Sequence, residues 1–531
     1  MNETKIPRAA CPEAVQVSSV AVNELIGDIL EHELELHSLM VVRHGKVAFE
    51  TFRKPYVPEM PHVMFSVSKS VTSCAIGFAV AEGLLSVDDK VADLVPELRG
   101  GAEDENLERL TVRHLLTMTS GKLISVFADK TKKQWIQDFA EAKWTYGPGE
   151  GWSYINENIY MLCVILSRVT GMGVVDYLMP RLFGPLGIPR PFWETDGHGV
   201  EAGGWGLYLT TESFAKIMLC YTQGGVFEGK QVIPAGWVAE STKLQAKQND
   251  GSAEPHGNNG YGYCFWLNAE PGGFRADGVF SQLGLCFPAY DACVITTAGE
   301  IFSHKMLDAL FRHIPQLFEE AGDREQEAGA VITALPEYPA LEESPRNYAL
   351  EAQLEARRIH FPSSLQQVPK MLGFPVSVMP MAVFFMSADR AGGIDQVRLR
   401  FQENTCKFSW SEGAERNTVL CGLDGRARKC LITLGGVQFP VACSAAWDGD
   451  NKFRIRIRPM NSVAERRLTF QFFGRQVRMV PRSSPSLSTI GEYAAPFVQT
   501  MVPNHTIAGI MSNTMDKIAL VAEPVHIGYL R

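Results

Sequence analysis

Four things are missing from this chain, and each absence removes a class of protein. Its 11 cysteines include no C-x-x-C pair and lie scattered from Cys11 to Cys443. Clustered cysteine or histidine spacing is what zinc needs, so no metal site is expected. Many of the thiols sit in apolar runs such as Met161-Leu162-Cys163-Val164, which reads as buried, reduced sulfur rather than a disulfide framework. Basic residues give no excess: the formal net charge is −9, so no electrostatic footprint for nucleic acid or an anionic membrane is expected. Long apolar runs are lacking too. The most apolar stretch, 71–85, contains Thr72, Ser73, Gly77 and Glu82 and is too short and polar to span a bilayer. The opening residues Met1 to Arg8 have no apolar segment, so no leader and a cytoplasmic location are expected. Finally, no G-x-S-x-G elbow occurs, which argues against an α/β-hydrolase.

What remains is a soluble-type composition, 46% hydrophobic and 21% charged, over 531 residues, a length that predicts two domains. Residues 38–50 read as a β-hairpin turning at Arg43-His44-Gly45-Lys46. An apolar helix then opens near Ser66 and ends at Gly83. Thr111–Leu116, Ile159–Thr170 and Thr211–Tyr221 read as further helices, and Tyr261–Trp266 as an aromatic strand. Gly278–Phe287 and Ala292–Thr297 read as strands, followed by an amphipathic helix over 302–321 with Met306, Leu310, Ile314 and Leu317 on one stripe. Strands from both ends of this region are expected to form one antiparallel sheet with helices inserted between.

The composition shifts after Ala321. Residues 322–347, with Pro336, Pro339 and Pro345, read as a linker. Residues 348–531 read as a mostly β domain, a barrel or a sandwich, because segments such as Phe453-Arg454-Ile455-Arg456-Ile457-Arg458 alternate strictly. The arginines of that segment read as a solvated face.

Ser66-Val67-Ser68-Lys69 carries the most chemical information. A serine and a lysine three apart share one face of a helix. A serine hydroxyl attacks only when a neighbour takes its proton, and a lysine with a lowered pKa can do so. The helix N-terminus favours negative charge developing at Ser66. Tyr154-Ile155-Asn156 follows a Pro148-Gly149 turn. In an extended segment, positions two apart face one way. Tyr154 is then a candidate proton relay, and Asn156 a candidate to hold Lys69 or a substrate carbonyl. The competing reading is a loop tyrosine that packs by its ring.

Ser66-x-x-Lys69, then Tyr154-x-Asn156, then a glycine-bearing strand at Gly278, is a layout that resembles the serine β-lactamase and penicillin-binding-protein superfamily, in its class C β-lactamase-like esterase and peptidase branch. Other matching stretches are Leu85-Ser86-Val87-Asp88-Asp89, Val112 to Gly121 and Gly204 to Thr210. The resemblance covers about residues 20–321. It implies an α/β fold of the α+β kind, with an antiparallel sheet flanked by helices over residues 1–321. It implies that Ser66 becomes acylated, that Lys69 and Tyr154 share the general-base and general-acid work, and that Asn156 orients lysine and substrate. It also implies an oxyanion hole made by the backbone N–H groups of Ser66 and Val279. Ala276-Asp277-Gly278 departs from the Lys-Thr-Gly of β-lactamases. Gly278 keeps the strand open to substrate, but the cation is missing, and Asp277 would repel an anionic β-lactam unless Arg275 compensates. Ester or small-amide hydrolysis is therefore expected ahead of β-lactam hydrolysis, and Asp277 could favour a substrate bearing an amine. The expected partner is a small ester, amide or peptide, with no cofactor, no nucleic acid and no membrane; homo-oligomerisation stays open. The alternative is a non-catalytic ligand-binding or sensor protein on the same fold.

Overall fold

The hairpin is set by its turn. His44 and Gly45 both have positive φ, 52° and 69°, the geometry of a tight two-residue connection whose twist matches the strands it joins. It links β1 (Leu36–Arg43) to β2 (Lys46–Phe52). The computed structural model describes residues 4–100, 104–122, 135–248, 256, 259–318, 331–332, 334–362, 394–412, 415–434, 437–486, 488–489, 492 and 523–531. They divide into two compact units, Met1–Pro336 and Glu337–Arg531. Of the linker expected over 322–347, residues 322–330 and 333 lie outside the described residues.

The first unit is built on a six-stranded antiparallel sheet. Its later strands are β3 (Trp266–Leu267), β4 (Phe274–Gly278), β5 (Gln282–Phe287) and β6 (Ala292–Ala298), and the order is β2-β1-β6-β5-β4-β3. The first strand thus pairs with the last, in register from Leu36↔Ala298 to Arg43↔Ala292. Every residue of β1 is buried because both faces of the sheet are covered. Leu39 and Val41 join the core beneath α1 (Ser19–Glu31) and a C-terminal helix, Ser303–Phe318. Met40 and Val42 point the other way, into a larger core with α2 (Val67–Ala81), α3 (Asn156–Thr170) and α4 (Thr211–Thr222). The helices between the strands thus form a lobe against one face.

Two sequence expectations need correcting here. Tyr261–Trp266 is not a strand: only Trp266–Leu267 is, because Cys264 turns the chain with φ at 65°. Gly278–Phe287 is two strands, because Phe280 and Ser281, both with φ of 64°, break it.

Among the described residues the second unit is a ten-stranded β-structure that closes as a barrel. Its strands are β7 (Ile359–His360), β8 (Ile394–Phe401), β9 (Thr405–Glu412), β10 (Glu415–Gly422), β11 (Arg428–Leu434), β12 (Val437–Trp447), β13 (Lys452–Pro459), β14 (Glu465–Phe473), β15 (Gln476–Ser484) and β16 (His526–Leu530). Their order is β10-β9-β8-β7-β16-β15-β14-β13-β12-β11. β10 meets β12 where Gly422 pairs with Ser444, and the end strands β10 and β11 meet where the Asn417 side-chain amide bridges the backbone of Thr433 in both directions. Such closure removes the exposed edges that invite aggregation. Inward residues such as Phe408, Val441, Phe453, Ile455 and Phe470 form one core. The helix Tyr348–Glu355 packs against it, with Glu351 accepting a 2.7 Å bond from the Trp447 indole.

The arginine row on β13 is not a freely solvated face. Arg458 donates to Glu465 at 3.1 Å and lies over the Tyr338 ring, while Arg456 donates to the Pro339 carbonyl. All 11 cysteines are free thiols, nine of them buried.

Candidate active site

Helix α2 is polar where most core helices are not, and its buried hydroxyls explain the site. Ser68 accepts the Leu207 N–H, Ser70 donates to the Cys264 carbonyl at 2.7 Å, and Thr72 donates to the Gly203 carbonyl at 3.1 Å. Each bond satisfies a polar group that would be costly to bury alone. Together they draw the 203–207 and 264 backbone against the helix face that carries Lys69. Gly203 and Gly204 permit this approach. A Cβ on Gly203 would fall 2.4 Å from Cys163 Sγ, and one on Gly204 3.0 Å from Asn156 Oδ1.

Lys69 is 1% exposed and makes three polar contacts. Its Nζ lies 2.8 Å from Ser66 Oγ, 2.7 Å from Asn156 Oδ1 and 2.8 Å from the Gly204 carbonyl. Burial, only partly opposed by the nearby Cys264 and Glu157, pulls the ammonium down from its ordinary value to about 7. The number of contacts matters. An ammonium would donate to all three oxygens. A neutral amine has two N–H groups, enough for Asn156 and Gly204, and one lone pair, which then faces the Ser66 hydroxyl.

Ser66 precedes the first residue of α2, with φ −71° and ψ −9°. Phe65 before it is held at φ 47°, a left-handed conformation that costs energy for a residue with a Cβ. Phe65 packs on Phe280, ring centroids 5.3 Å apart. The end of β4 runs beside Ser66: a Cβ on Gly278 would sit 2.4 Å from the Met64 carbonyl oxygen and 3.3 Å from Ser66 N. Val279 follows directly, at the turn out of the strand.

Tyr154 lies in the stretch leading into α3, with the Lys69 Nζ 4.7 Å from its ring centroid. Asn156 is the first residue of that helix, so the pair does not share one extended segment as the sequence spacing suggested. Tyr154 belongs to a wall of rings with Trp152, Tyr261 and Trp266, neighbouring centroids 5.3 to 6.2 Å apart.

Asp277 does not stand alone. Arg275 Nε donates to its carboxylate at 2.8 Å. The same guanidinium donates to Asn268 Oδ1 and the His256 carbonyl and lies over the Trp266 ring. Asp277 thus stands in an ion pair with the neighbouring Arg275.

The structure thus gathers Ser66, Lys69 and Asn156, sets Tyr154 by its ring against Lys69, and brings Gly278 to the same place. The sequence reading missed the Gly204 carbonyl as a partner of Lys69, although the stretch Gly203-Gly204-Trp205-Gly206 was a visible signal. Among the described residues no single helix is long and apolar enough to cross a membrane.

Comparison with known proteins gives the family. The sequence profile of the family described as Beta-lactamase matches residues 23–306. The chain is 27% identical over 301 residues to a 6-aminohexanoate-dimer hydrolase of Paenarthrobacter ureafaciens, covering 50% of this chain and 74% of that protein. It is 30% identical over 173 residues to penicillin-binding protein 4* of Bacillus subtilis (strain 168), 30% of this chain and 35% of that one. The second match therefore spans only about a third of its relative. A solved structure from Bacillus anthracis, whose name proposes a 6-aminohexanoate-dimer hydrolase, superposes with a TM-score of 0.50 at 18% identity, covering 61% of this chain and 91% of that one, and supports the fold. With the profile matched over more than half its length, the chain belongs to the β-lactamase family of serine hydrolases.

Proposed function

We propose that the first unit hydrolyses an ester or a small amide through an acyl-enzyme on Ser66. The observation that carries this reading is the buried, three-contact environment of Lys69, in which the amine form turns its lone pair toward the Ser66 hydroxyl. In the first half-reaction Ser66 Oγ bonds to the carbonyl carbon and its proton passes to Lys69 Nζ. The developing oxyanion is taken by the backbone N–H groups of Ser66 and Val279. The proton returns through the Tyr154 hydroxyl to the leaving oxygen or nitrogen as its bond to carbon breaks. Water then attacks the acyl carbon and gives its proton to Lys69 and Tyr154, and Ser66 Oγ takes that proton as its bond to the acyl carbon breaks.

The ring wall of Trp152, Tyr154, Tyr261 and Trp266 suits an acyl or leaving group with an apolar body. The neutral Arg275–Asp277 pair replaces the cation of β-lactamases, so neutral esters and amides rank above β-lactams. Relatives named for 6-aminohexanoate-dimer hydrolysis and, in Penicillium rubens, for lovastatin esterase activity fit that range.

Intact-protein mass spectrometry with a fluorophosphonate probe tests the assignment. The expected result is one adduct, mapped to Ser66 and absent in Ser66→Ala. Labelling that persists in Ser66→Ala would exclude it. A panel of nitrophenyl esters, anilides and β-lactams tests the ranking, which β-lactams turned over fastest would reverse.

A further inference from the structure

A protein of net charge −9 carries a dense patch of the opposite sign on the outside of the barrel. A groove of about 460 Å³ crosses β8, β9 and β10, lined by Arg358, Arg398, Arg400, Lys407 and Arg416, with one acid, Asp395. The register places these cations side by side. Arg400 pairs directly with Lys407. Ile359 pairs with Val397, so Arg358 comes opposite Arg398. Like charges facing each other across strands destabilise a sheet. Several cations elsewhere in this unit are answered: Arg458 by Glu465, Arg428 by Asp424, Arg346 by Glu351 and buried Arg466 by Glu523.

In the groove they are not. Among the described residues none of the five makes a side-chain hydrogen bond or ion pair. Asp395 is instead engaged by the Ser411 hydroxyl. Arg398 sits at the centre of the row, and its Nε is shielded from solvent with no acceptor in reach. Buried donors are normally satisfied, so an unanswered guanidinium N–H marks a place where an acceptor belongs. Beside it, Ser409 and Thr418 are joined by a 2.9 Å hydroxyl bond and add neutral polar groups to the floor.

We infer that this groove binds a small polyanion carrying two or three linked phosphate groups. Neighbouring strands lie about 5 Å apart and alternate residues along a strand about 7 Å apart, so the cations spread over an area one phosphate does not span. A chain of two or three phosphates reaches across it. Guanidinium forks fit phosphate oxygens two at a time, and four of the five cations are arginines. The groove volume is that of a small-ligand site, not of an extended nucleic-acid track.

Isothermal titration calorimetry of the full chain with sodium tripolyphosphate tests this. The expected result is saturable one-to-one binding that weakens as salt rises, at least tenfold weaker in R398Q/R400Q and unchanged in R454Q on β13. Sulfate should bind at least tenfold more weakly than tripolyphosphate. Because the double variant relieves repulsion, it should also melt no lower than the parent without ligand. No saturable binding at millimolar tripolyphosphate would overturn the inference. So would equal affinity in R398Q/R400Q, or tighter binding of a single-stranded oligonucleotide than of tripolyphosphate. A double variant that fails to fold hands the decision to R416Q alone, at the groove edge, where unaltered affinity would count against the site.

Discussion

The buried amine of Lys69 makes a prediction that can be worked through in numbers. Moving a lysine from its ordinary 10.5 to about 7 corresponds to roughly 5 kcal/mol of preference for the neutral form. At pH 7 about half of Lys69 is then amine, against about one molecule in three thousand for an ordinary lysine. The acylation rate of Ser66, measured by stopped-flow burst with a nitrophenyl ester, should therefore rise through pH 7 and level off by about pH 8. The same shift appears in stability, with a definite sign. Between pH 7 and 10.5 the unfolded chain holds a proton on Lys69 that the folded chain has released, so folding stability gains about 1.4 kcal/mol per pH unit from this group. Below pH 7 both states are protonated and the full cost of burying the charge is present. In Lys69→Met that cost is gone. The loss of hydrogen bonds to Asn156 and Gly204 adds an offset of about 1–3 kcal/mol that does not vary with pH. The difference in urea unfolding free energy between the parent and Lys69→Met should consequently drift in the parent's favour by several kcal/mol from pH 7 to 10. A pH-independent gap, or a burst rate still climbing at pH 10, would refute the assignment of a neutral lysine.

Three further outcomes are expected. Gly278→Val puts a side chain where even a Cβ meets the Met64 carbonyl at 2.4 Å, so the strand must retreat from Ser66 N. The kcat/KM should fall by about a hundredfold or more while circular dichroism is unchanged. Arg275→Met leaves the Asp277 carboxylate without its partner and should lower unfolding free energy by about 3 kcal/mol, with much of the loss recovered in the double variant with Asp277→Asn. In the barrel, Trp447→Phe removes the indole donor to Glu351 and should cost about 1 kcal/mol by denaturant titration, with ester hydrolysis unaltered.

The parts readable in the sequence were those fixed by short-range rules. His44-Gly45 sets the hairpin, Gly83 with φ 72° follows the end of α2, and the alternation in β13 marks a strand with one buried face. Ser66 and Lys69 were legible because a helix relates positions three apart by geometry alone. Harder to read was whatever depended on a partner distant in the chain. Nothing near Asp277 says that Asn268 and the His256 carbonyl will hold the Arg275 guanidinium beside it. Nothing in 453–458 says that Glu465 and the Pro339 carbonyl will meet the arginines. The patch at Arg398 was invisible for the same reason: its five cations come from segments as far apart as Arg358 and Arg416, and only strand pairing brings them together. Cys264 and Phe280, non-glycine residues with positive φ, broke predicted strands because tertiary packing overrode their β propensity.

Ser66 and Lys69 belong to one helix, but the oxygens that share the amine come from 87 and 135 positions further along the chain. No fragment containing α2 alone can therefore hold that nitrogen dry and uncharged. Reactivity toward an electrophilic probe becomes a gauge of completed tertiary assembly. During refolding it should emerge with the last cooperative phase, well after helical signal has returned.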